Sequence, residues 1–588
     1  MSPAGESAPT EVSGIRYTCC SGAAFLCAGC ISGCGGCFMG RKKIDRTALR
    51  QLFGLTRGKR GALLVVIIGN ALFAVSGAAF ALFCRGVIDA ATAGDSGGII
   101  AYALLLCGVV LLQLALRLIC NMLSEKVRAA IETELRGEMF GGLLSAELSD
   151  ISGYHTAELV NRMFSDVRIC AEGAANILPS AVNLVTQLLC AGVLMIVLQP
   201  WFAAVFAAAG IMVFAVLSIF RGRLKGLHRQ VQEKEGKVRA LIQETLSNIA
   251  VVRVFSAEST LLGKNAKNQR EHYDLRMKRR TLGVAAGAGF GLIFQAGYVL
   301  ALVWGGFGIF SGTMSYGTLT AVLQLVNQIQ SPFAGLSSLF PQYYAAAASA
   351  ERIMEIERLP HEENSAGTRG EFTELRVDGV RFSYGGGDVL TRADMTVKRG
   401  EIAALTGISG GGKTTLFMLI FGMYRPQAGK ITLVTTQGEC APCAASRRLF
   451  AYVPQGNGLF SGTIRENIAF AVPADDERIM RAARTACAEE FIMQLPDGLD
   501  TVIGENGAGL SEGQAQRIAV ARAVYSGADF LLMDEATSAL DADTEYRLLK
   551  NIAALDGKTA LIVTHRPAAL EICSRKFILK DGVINEQC

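Results

Sequence analysis

The segment Gly407-Ile408-Ser409-Gly410-Gly411-Gly412-Lys413-Thr414-Thr415 fits the spacing G-x-x-x-x-G-K-[ST] at every fixed position. Glycines so placed let consecutive backbone N–H groups point at one anion, and a helix starting there adds the positive end of its dipole. Lys413 can then reach the β- and γ-phosphates of a nucleoside triphosphate, and the Thr414 hydroxyl can bind Mg²⁺. A glycine turn that only joined a strand to a helix would need neither the lysine nor the hydroxyl. Further along, the apolar run Phe530-Leu531-Leu532-Met533 ends in Asp534 and Glu535. The first carboxylate suits Mg²⁺, and the second can orient or deprotonate an attacking water.

Such groups need a strand and a helix to aim them. Residues 402–405 read as a buried strand before the loop, and 416–421 continue it as a helix. From residue 371 onward strands and helices alternate, the pattern of an α/β nucleotide-binding domain. A polar break at 360–370 separates this part from what precedes it.

The preceding part belongs to a membrane. The chain has 588 residues, 51% hydrophobic, with a net charge of +5, and its mean hydropathy is positive. Six apolar segments, 62–83, 98–123, 177–198, 201–220, 282–310 and 319–340, are each near the length a helix needs to cross the hydrocarbon core. Three of their connections are short and carry little positive charge. The other two, 124–176 and 221–281, are long, helical in pattern and rich in Arg and Lys, which places them and both termini in the cytosol. About twenty extra helical residues would carry each hairpin ~30 Å below the headgroups.

The basic residues of 41–60 precede the first span and fit a membrane-surface segment; nucleic acid is not an expected partner. Within the spans, Asn183 and Gln187, Gln295 and Tyr298, and Gln324, Asn327 and Gln328 recur at helical spacing. They either face a translocation path or hydrogen-bond helix to helix. Arg85 and Asp89, one turn apart, are expected to pair.

Of 16 cysteines, six crowd into residues 19–37. Cys27-x2-Cys30 and Cys34-x2-Cys37 have the paired spacing of a tetrahedral thiolate site for zinc, copper(I) or iron–sulfur. The same stretch also reads as a cytosolic tail of reduced thiols, since it holds no histidine.

Leu510-Ser511-Glu512-Gly513-Gln514, followed by Arg517 and lying upstream of the two carboxylates, narrows the possibilities. With it the chain resembles the ATP-binding cassette exporters over about residues 45–584. The resemblance implies an all-α six-helix transmembrane domain followed by an α/β P-loop cassette. It also implies that Ser511, Gly513 and Gln514 meet ATP held by the phosphate loop of a second cassette. Tyr384 resembles the aromatic residue that stacks on adenine, Gln455 the glutamine that contacts Mg²⁺ and water, and His565 the γ-phosphate switch. Ser538-Ala539-Leu540-Asp541 is similar to the loop that communicates across the dimer. Thr501 to Gly507 and Gln455 to Asn467 resemble exporter forms of their segments, and Thr156 to Arg162 with Asp166, and Glu244 to Glu258, the surroundings of two coupling helices. Glu512 replaces the family's usual glycine and sets a carboxylate near a helix N-terminus that should greet phosphate. Ala157 likewise stands where glycine is usual.

The expected organisation is therefore a Cys-rich cytosolic extension over 1–40, an interfacial segment over 41–60, a transmembrane domain over 61–358, a linker over 359–370 and a cassette over 371–588. The resemblance implies an ATP hydrolase driving export of a small amphipathic molecule, lipid or peptide from a bacterial cytoplasmic membrane. The alternatives are an importer on the same scaffold, for siderophore, haem or metal-related cargo, and a membrane ATPase acting on a partner. One membrane unit and one cassette per chain imply a dimer, with a homodimer favoured over a heterodimer because Lys413, Asp534, Glu535 and His565 are all present.

Overall fold

The computed structural model describes residue 54 and residues 57–362, 370–456 and 458–587. Cys27, Cys30, Cys34 and Cys37, most of the 41–60 segment, linker residues 363–369 and Asn457 lie outside the described residues.

Six long helices form the membrane half: α1 Arg60–Ala93, α2 Ser96–Ser145, α3 Val167–Leu198, α4 Pro200–Ser247, α5 Glu258–Phe310 and α6 Tyr316–Glu357. Each holds one of the six apolar segments. Among the described residues, four helices are long and apolar enough to cross a membrane: Arg60–Ala93, Ser96–Ser145, Thr156–Leu198 and Glu258–Phe310.

Their ends follow from local chemistry. Asp95 caps α2 by accepting from the Gly98 N–H at 3.0 Å, and Ser315 caps α6 by accepting from Thr318 at 3.1 Å. Pro200 sits in the first turn of α4, where its missing N–H costs nothing. Helix α2 is 50 residues long, so it runs on for about 30 Å past its apolar part.

Helices α1, α2, α3 and α6 pack on one another, and α4 and α5 form a hairpin whose Phe202, Phe206 and Ala301 share a buried core with Ala81, Ala191 and Leu325. Two of the polar residues inside the spans tie helices together. Gln187 Nε2 donates to the Gln328 carbonyl at 3.2 Å, and Gln328 Nε2 donates to the Gly77 carbonyl at 2.6 Å. Gln295 is exposed on α5. Arg85 Nε reaches Asp89 at 3.2 Å, and the other Asp89 oxygen accepts from the Gly317 N–H at 3.0 Å, joining α1 to the start of α6.

Before α3 the chain forms a short helix, Thr156–Asn161, and then one π-helical stretch, Arg162–Asp166. That bulge rotates two buried charged residues toward α6. Asp166 accepts from Arg352 Nε at 2.7 Å and from Ser349 Oγ at 2.9 Å. Arg162 donates to Glu355 at 2.8 Å and to Glu158 at 2.7 Å. The stretch Thr156–Asp166 is thereby clamped to α6, the helix that leads into the cassette. A short helix, Ile249–Val254, sits at the tip of the α4–α5 hairpin with Val254 and Phe255 exposed.

The cassette is built on a ten-stranded sheet in the order β5-β4-β1-β2-β12-β11-β3-β10-β9-β6. The strands are β1 Phe372–Ser383, β2 Asp388–Lys398, β3 Ile402–Gly407, β4 Ala428–Thr435, β5 Gly438–Cys440, β6 Phe450–Val453, β9 Phe530–Asp534, β10 Thr559–Val563, β11 Arg575–Lys580 and β12 Val583–Gln587; β7 Gly462–Thr463 and β8 Val502–Ile503 pair separately. Strand β10 runs parallel to both β3 and β9 and is wholly buried.

The two halves meet at a stitched junction. Ala146, just past α2, bridges His361, just past α6. Glu147 N–H donates to the Pro360 carbonyl at 2.9 Å, and Glu362 N–H to the Ser145 carbonyl at 2.8 Å. Arg447 of the cassette grips both Glu362 oxygens at 2.7 Å, and Arg425 reaches Glu147 at 3.2 Å.

Replacing Asp166 by Ala removes the shared carboxylate of the α3–α6 clamp. The partly exposed Arg352 is rehydrated, so the expected cost is about 2 kcal/mol. It is read as a lower midpoint of thermal unfolding of the purified protein; an unchanged midpoint contradicts the clamp.

Candidate nucleotide site

The site forms where the parallel strands end. Val563 on β10 is abreast of Leu405 on β3 and of Asp534 on β9. With strands ~4.8 Å apart, the phosphate loop and the terminal carboxylate emerge about 10 Å from each other. His565 follows β10 between them.

The phosphate loop turns directly out of β3. Gly407 has φ 154 and lies so close to β11 that a Cβ would sit 2.4 Å from the Leu579 carbonyl oxygen. Gly410 and Gly412 also have positive φ, and Gly411 N–H donates to the Ile408 carbonyl at 3.0 Å. Gly412 caps α7, Lys413–Ile420. Ser409 is exposed on the loop. Lys413 Nζ is curled under it, donating to the carbonyls of Gly407 and Ile408 at 2.7 and 3.1 Å and lying 3.4 Å from His565 Nε2.

Thr414 Oγ1 donates to Asp534 Oδ2 at 2.6 Å. Asp534 is only 2% exposed. Burial pushes its pKa up and Glu535 adds to the rise, while the Thr414 hydroxyl and Lys413 oppose it. Burial, with Asp534 nearby, also pushes the Tyr452 hydroxyl up to about 12. A buried carboxylate beside a hydroxyl is a hard oxygen donor set short of positive charge, and that chemistry fits Mg²⁺.

Glu535 is a non-glycine residue at φ 50, a conformation costing on the order of 1–3 kcal/mol and typical of functional positions. Its carboxylate accepts from Gln455 Nε2 at 2.9 Å. Tyr384 is 57% exposed and stands edge-on to Phe382 and Tyr424 with centroids at 4.9 and 5.4 Å. Its hydroxyl lies 3.2 Å from Thr415 Oγ1 at the start of the loop helix, leaving a ring face free for a flat base.

The structure thus brings Lys413, Thr414, Thr415, Tyr384, Gln455, Asp534, Glu535 and His565 to one edge. Ser511, Gly513 and Gln514 share no hydrogen bond with these residues among the described residues. Ser511 caps α8, Glu512–Ser526, in a reciprocal box with Gln514: Gln514 N–H donates to Ser511 Oγ at 3.3 Å and Ser511 N–H to Gln514 Oε1 at 2.9 Å. Among the described residues no hydrogen bond joins these three to the phosphate loop. Glu512 is exposed in the first turn of α8.

Two residues that sequence reasoning missed tie these loops together. Gln516, buried on α8, donates to Ser538 Oγ at 2.9 Å and accepts from the Ala539 N–H at 3.0 Å. Gly513 lets the same loop approach, since a Cβ there would sit 2.9 Å from the Ala539 carbonyl. Arg566, next to His565, donates to the carbonyls of Leu540 and Ser538 at 2.7 and 2.9 Å and to buried Glu545 at 2.9 Å. Gln516 had a sequence signal: it is a polar residue among Ala515, Ile518 and Ala519 on the apolar face of its helix. Arg566 had none beyond its neighbour.

Comparison with known proteins places these features in context. The model of the ABC transporter transmembrane region matches residues 63–333, and the ABC transporter model matches 390–538. An ABC transporter B family member 1 from Dictyostelium discoideum is 28% identical over 92% of this chain and 61% of its own. A serine protease/ABC transporter B family protein, tagA, of the same organism is 30% identical over 88% of this chain, which spans only 30% of that protein. An ATP-dependent lipid A-core flippase from Desulfotalea psychrophila is 30% identical over 79% of this chain and 82% of its own.

The raised pKa of Asp534 carries a sign. The folded chain holds that proton to higher pH than the unfolded chain, so ionising the carboxyl subtracts stability as pH rises above the ordinary carboxylate range. Asp534→Asn is expected to raise the melting temperature at neutral pH without divalent cations and to give no gain in acid. A lowered melting temperature at neutral pH contradicts this. Gln516→Leu, acting at a distance, is expected to lower kcat for ATP hydrolysis about tenfold with ATP affinity unchanged. Wild-type kcat contradicts the role of Gln516.

Proposed function

Because the chain belongs to the ABC transporter family, we propose that it is one half of a dimeric exporter driven by ATP hydrolysis. The observation that carries the reading is the convergence at one sheet edge of Lys413 with His565, Thr414 with Asp534, and Glu535 with Gln455. Those pairs hold phosphate, metal-binding oxygen and a general base in adjacent positions.

ATP binds with its adenine on the Tyr384 ring and its phosphates over the loop. Lys413 exchanges its loop carbonyls for phosphate oxygens. Thr414, Asp534 and Gln455 would hold Mg²⁺, which when bound neutralises phosphate charge. Glu535 takes a proton from the attacking water as its oxygen bonds to the γ-phosphorus and the bond to the bridging oxygen of ADP breaks. His565 donates to the γ-phosphate.

The signature completes this arrangement from a second copy. Ser511 opens α8, and the positive end of that helix dipole suits an anion. That no hydrogen bond among the described residues joins Ser511 to the phosphate loop of its own chain is in keeping with a partner in which each signature covers the other's ATP. Arg566 and Gln516 then make each closed interface sensitive to the state of His565. A homodimer suffices, as every catalytic position is filled.

Closure travels through the clamp on Asp166 and the junction at Glu362, while the exposed tip at Val254 and Phe255 is available to a cassette of the partner. Two bound ATP favour the closed cassettes, and hydrolysis returns the dimer to its open form. The apolar, sparsely charged spans support an amphipathic cargo, in keeping with the relative named a lipid flippase. Positive charge in the long connections supports cytosolic cassettes and export.

Glu535→Gln is expected to retain ATP binding and lose about 10²- to 10⁴-fold in kcat, while Lys413→Ala weakens ATP binding itself. Inside-out vesicles should accumulate a fluorescent lipid with ATP and fail to do so with Glu535→Gln. Normal hydrolysis in both variants contradicts the site, and ATP-dependent loss of lipid from the vesicles contradicts the direction.

A further inference from the structure

Between α1, α2 and α3 lies a cavity of about 320 Å³, far from the nucleotide site. Its lining includes Asn70 of α1, Asn121, Ser124 and Arg128 of α2, and Asn176 and Ser180 of α3. Packing fixes its height. Cys120 Sγ lies 4.0 Å from the Val66 carbonyl, and Gly69 is so close to α2 that a Cβ would sit 2.4 Å from that sulfur. Residues 66–70 lie near the beginning of the first apolar run, and 120–124 at the end of the second. Helix α2 continues from there to the cassette junction at Ser145. The cavity therefore sits at the cassette-side boundary of the spans, where phospholipid headgroups lie.

Its chemistry is polar and balanced. Arg128 Nη2 donates to Glu125 at 2.6 Å, and Glu125 also lines the cavity. Arg128 Nε is buried and, among the described residues, has no hydrogen-bond partner. That N–H is closed to a ligand, but the guanidinium lines the cavity and its remaining Nη hydrogens, beyond the one given to Glu125, can be donated strongly to a phosphate oxygen. Ser124 Oγ donates to Asn176 Oδ1 at 3.3 Å, which leaves the two amide hydrogens of Asn176 for another acceptor. Asn70 Nδ2 donates to the Val66 carbonyl at 2.8 Å, leaving its oxygen as an acceptor. One guanidinium and one carboxylate within the same lining suit a ligand with both charges. A purely anionic group would meet Glu125 and be repelled.

We propose that this cavity holds the zwitterionic headgroup of a phosphoethanolamine-type phospholipid from the cassette-side leaflet. Its phosphate is received by Arg128 and the amides of Asn121 and Asn176, and its ammonium by Glu125. The volume is at the small end for ligand pockets, enough for a headgroup. Leu118, Ile119 and Met122, exposed on α2, supply apolar surface for the acyl chains outside it. This lipid is a resident, held whether or not cargo moves, and the proposal needs only that the chain lies in a bilayer.

The test uses full-length protein purified in mild detergent from membranes containing phosphatidylethanolamine and phosphatidylglycerol. Retained lipid is counted by native mass spectrometry and then challenged with either lipid or with water-soluble O-phosphoethanolamine. The wild-type chain is expected to retain phosphatidylethanolamine in preference. Arg128→Gln should lower that retention about tenfold, the loss of a charge-assisted hydrogen bond. Glu125→Gln, which keeps size, should shift the preference toward phosphatidylglycerol. Equal retention of the two lipids, or an unchanged preference in Glu125→Gln, overturns the site even if Arg128→Gln does not fold. Displacement by O-phosphoethanolamine as effective as by the lipid overturns the lipid source. Loss of ATP hydrolysis with the preference intact would count against the proposed transport function and leave the lipid site standing.

Discussion

The register of β10 between β3 and β9 is the constraint on which the rest depends. With Val563 abreast of both Leu405 and Asp534, the phosphate loop, the buried carboxylate and His565 emerge at one edge in a single plane. A slip of one residue would turn Asp534 to the other face of the sheet and separate it from Thr414. The core of apolar strands is thus what holds an ionisable group, 2% exposed, against a hydroxyl. The same burial that penalises its charge prepares it for a cation.

From that edge, order passes outward through polar side chains to backbone carbonyls. Arg566 holds the carbonyls of Ser538 and Leu540, and Gln516 holds Ser538 and Ala539 from the other side. The loop between the Glu535 carboxylate and the signature helix is therefore gripped from both directions. On the membrane side, Glu362 and Glu147 meet Arg447 and Arg425, and Asp166 meets Arg352. Each joint is an ion pair reinforced by hydrogen bonds, which can break and re-form as a unit more readily than a packed apolar interface can slide.

Much of this was legible from residue types. Phosphate binding demands glycine, lysine and hydroxyl at fixed spacing, so Gly407 to Thr415 identified itself, and Asp534 and Glu535 followed from the apolar strand before them. The long helices were legible from their apolar runs, and four of them, among the described residues, are long and apolar enough to cross a membrane. The role of Arg566 was not legible, since a side chain that holds distant loop carbonyls leaves no periodic trace, and Gln516 showed only as a polar residue on an apolar helix face, with its partners Ser538 and Ala539 supplied by the tertiary structure. The π-helical stretch Arg162–Asp166 was equally silent, because one inserted residue changes which face a charge occupies without changing composition. Gln187 and Gln328 were readable only as polar groups on helical faces. Their spacing is the same for a path and for a helix-to-helix bond, and in the structure both make such bonds.

The central claim is that each nucleotide site is shared between two copies. It is tested by co-expressing two inactive variants, Lys413→Ala on one tagged chain and Ser511→Arg on another, and measuring ATP hydrolysis of mixed dimers isolated through both tags. If the signature of one copy serves the phosphate loop of the other, the mixed dimer contains one intact site and recovers hydrolysis absent from either variant alone. If each chain used its own Ser511, both sites would stay broken, and no recovery would contradict the account.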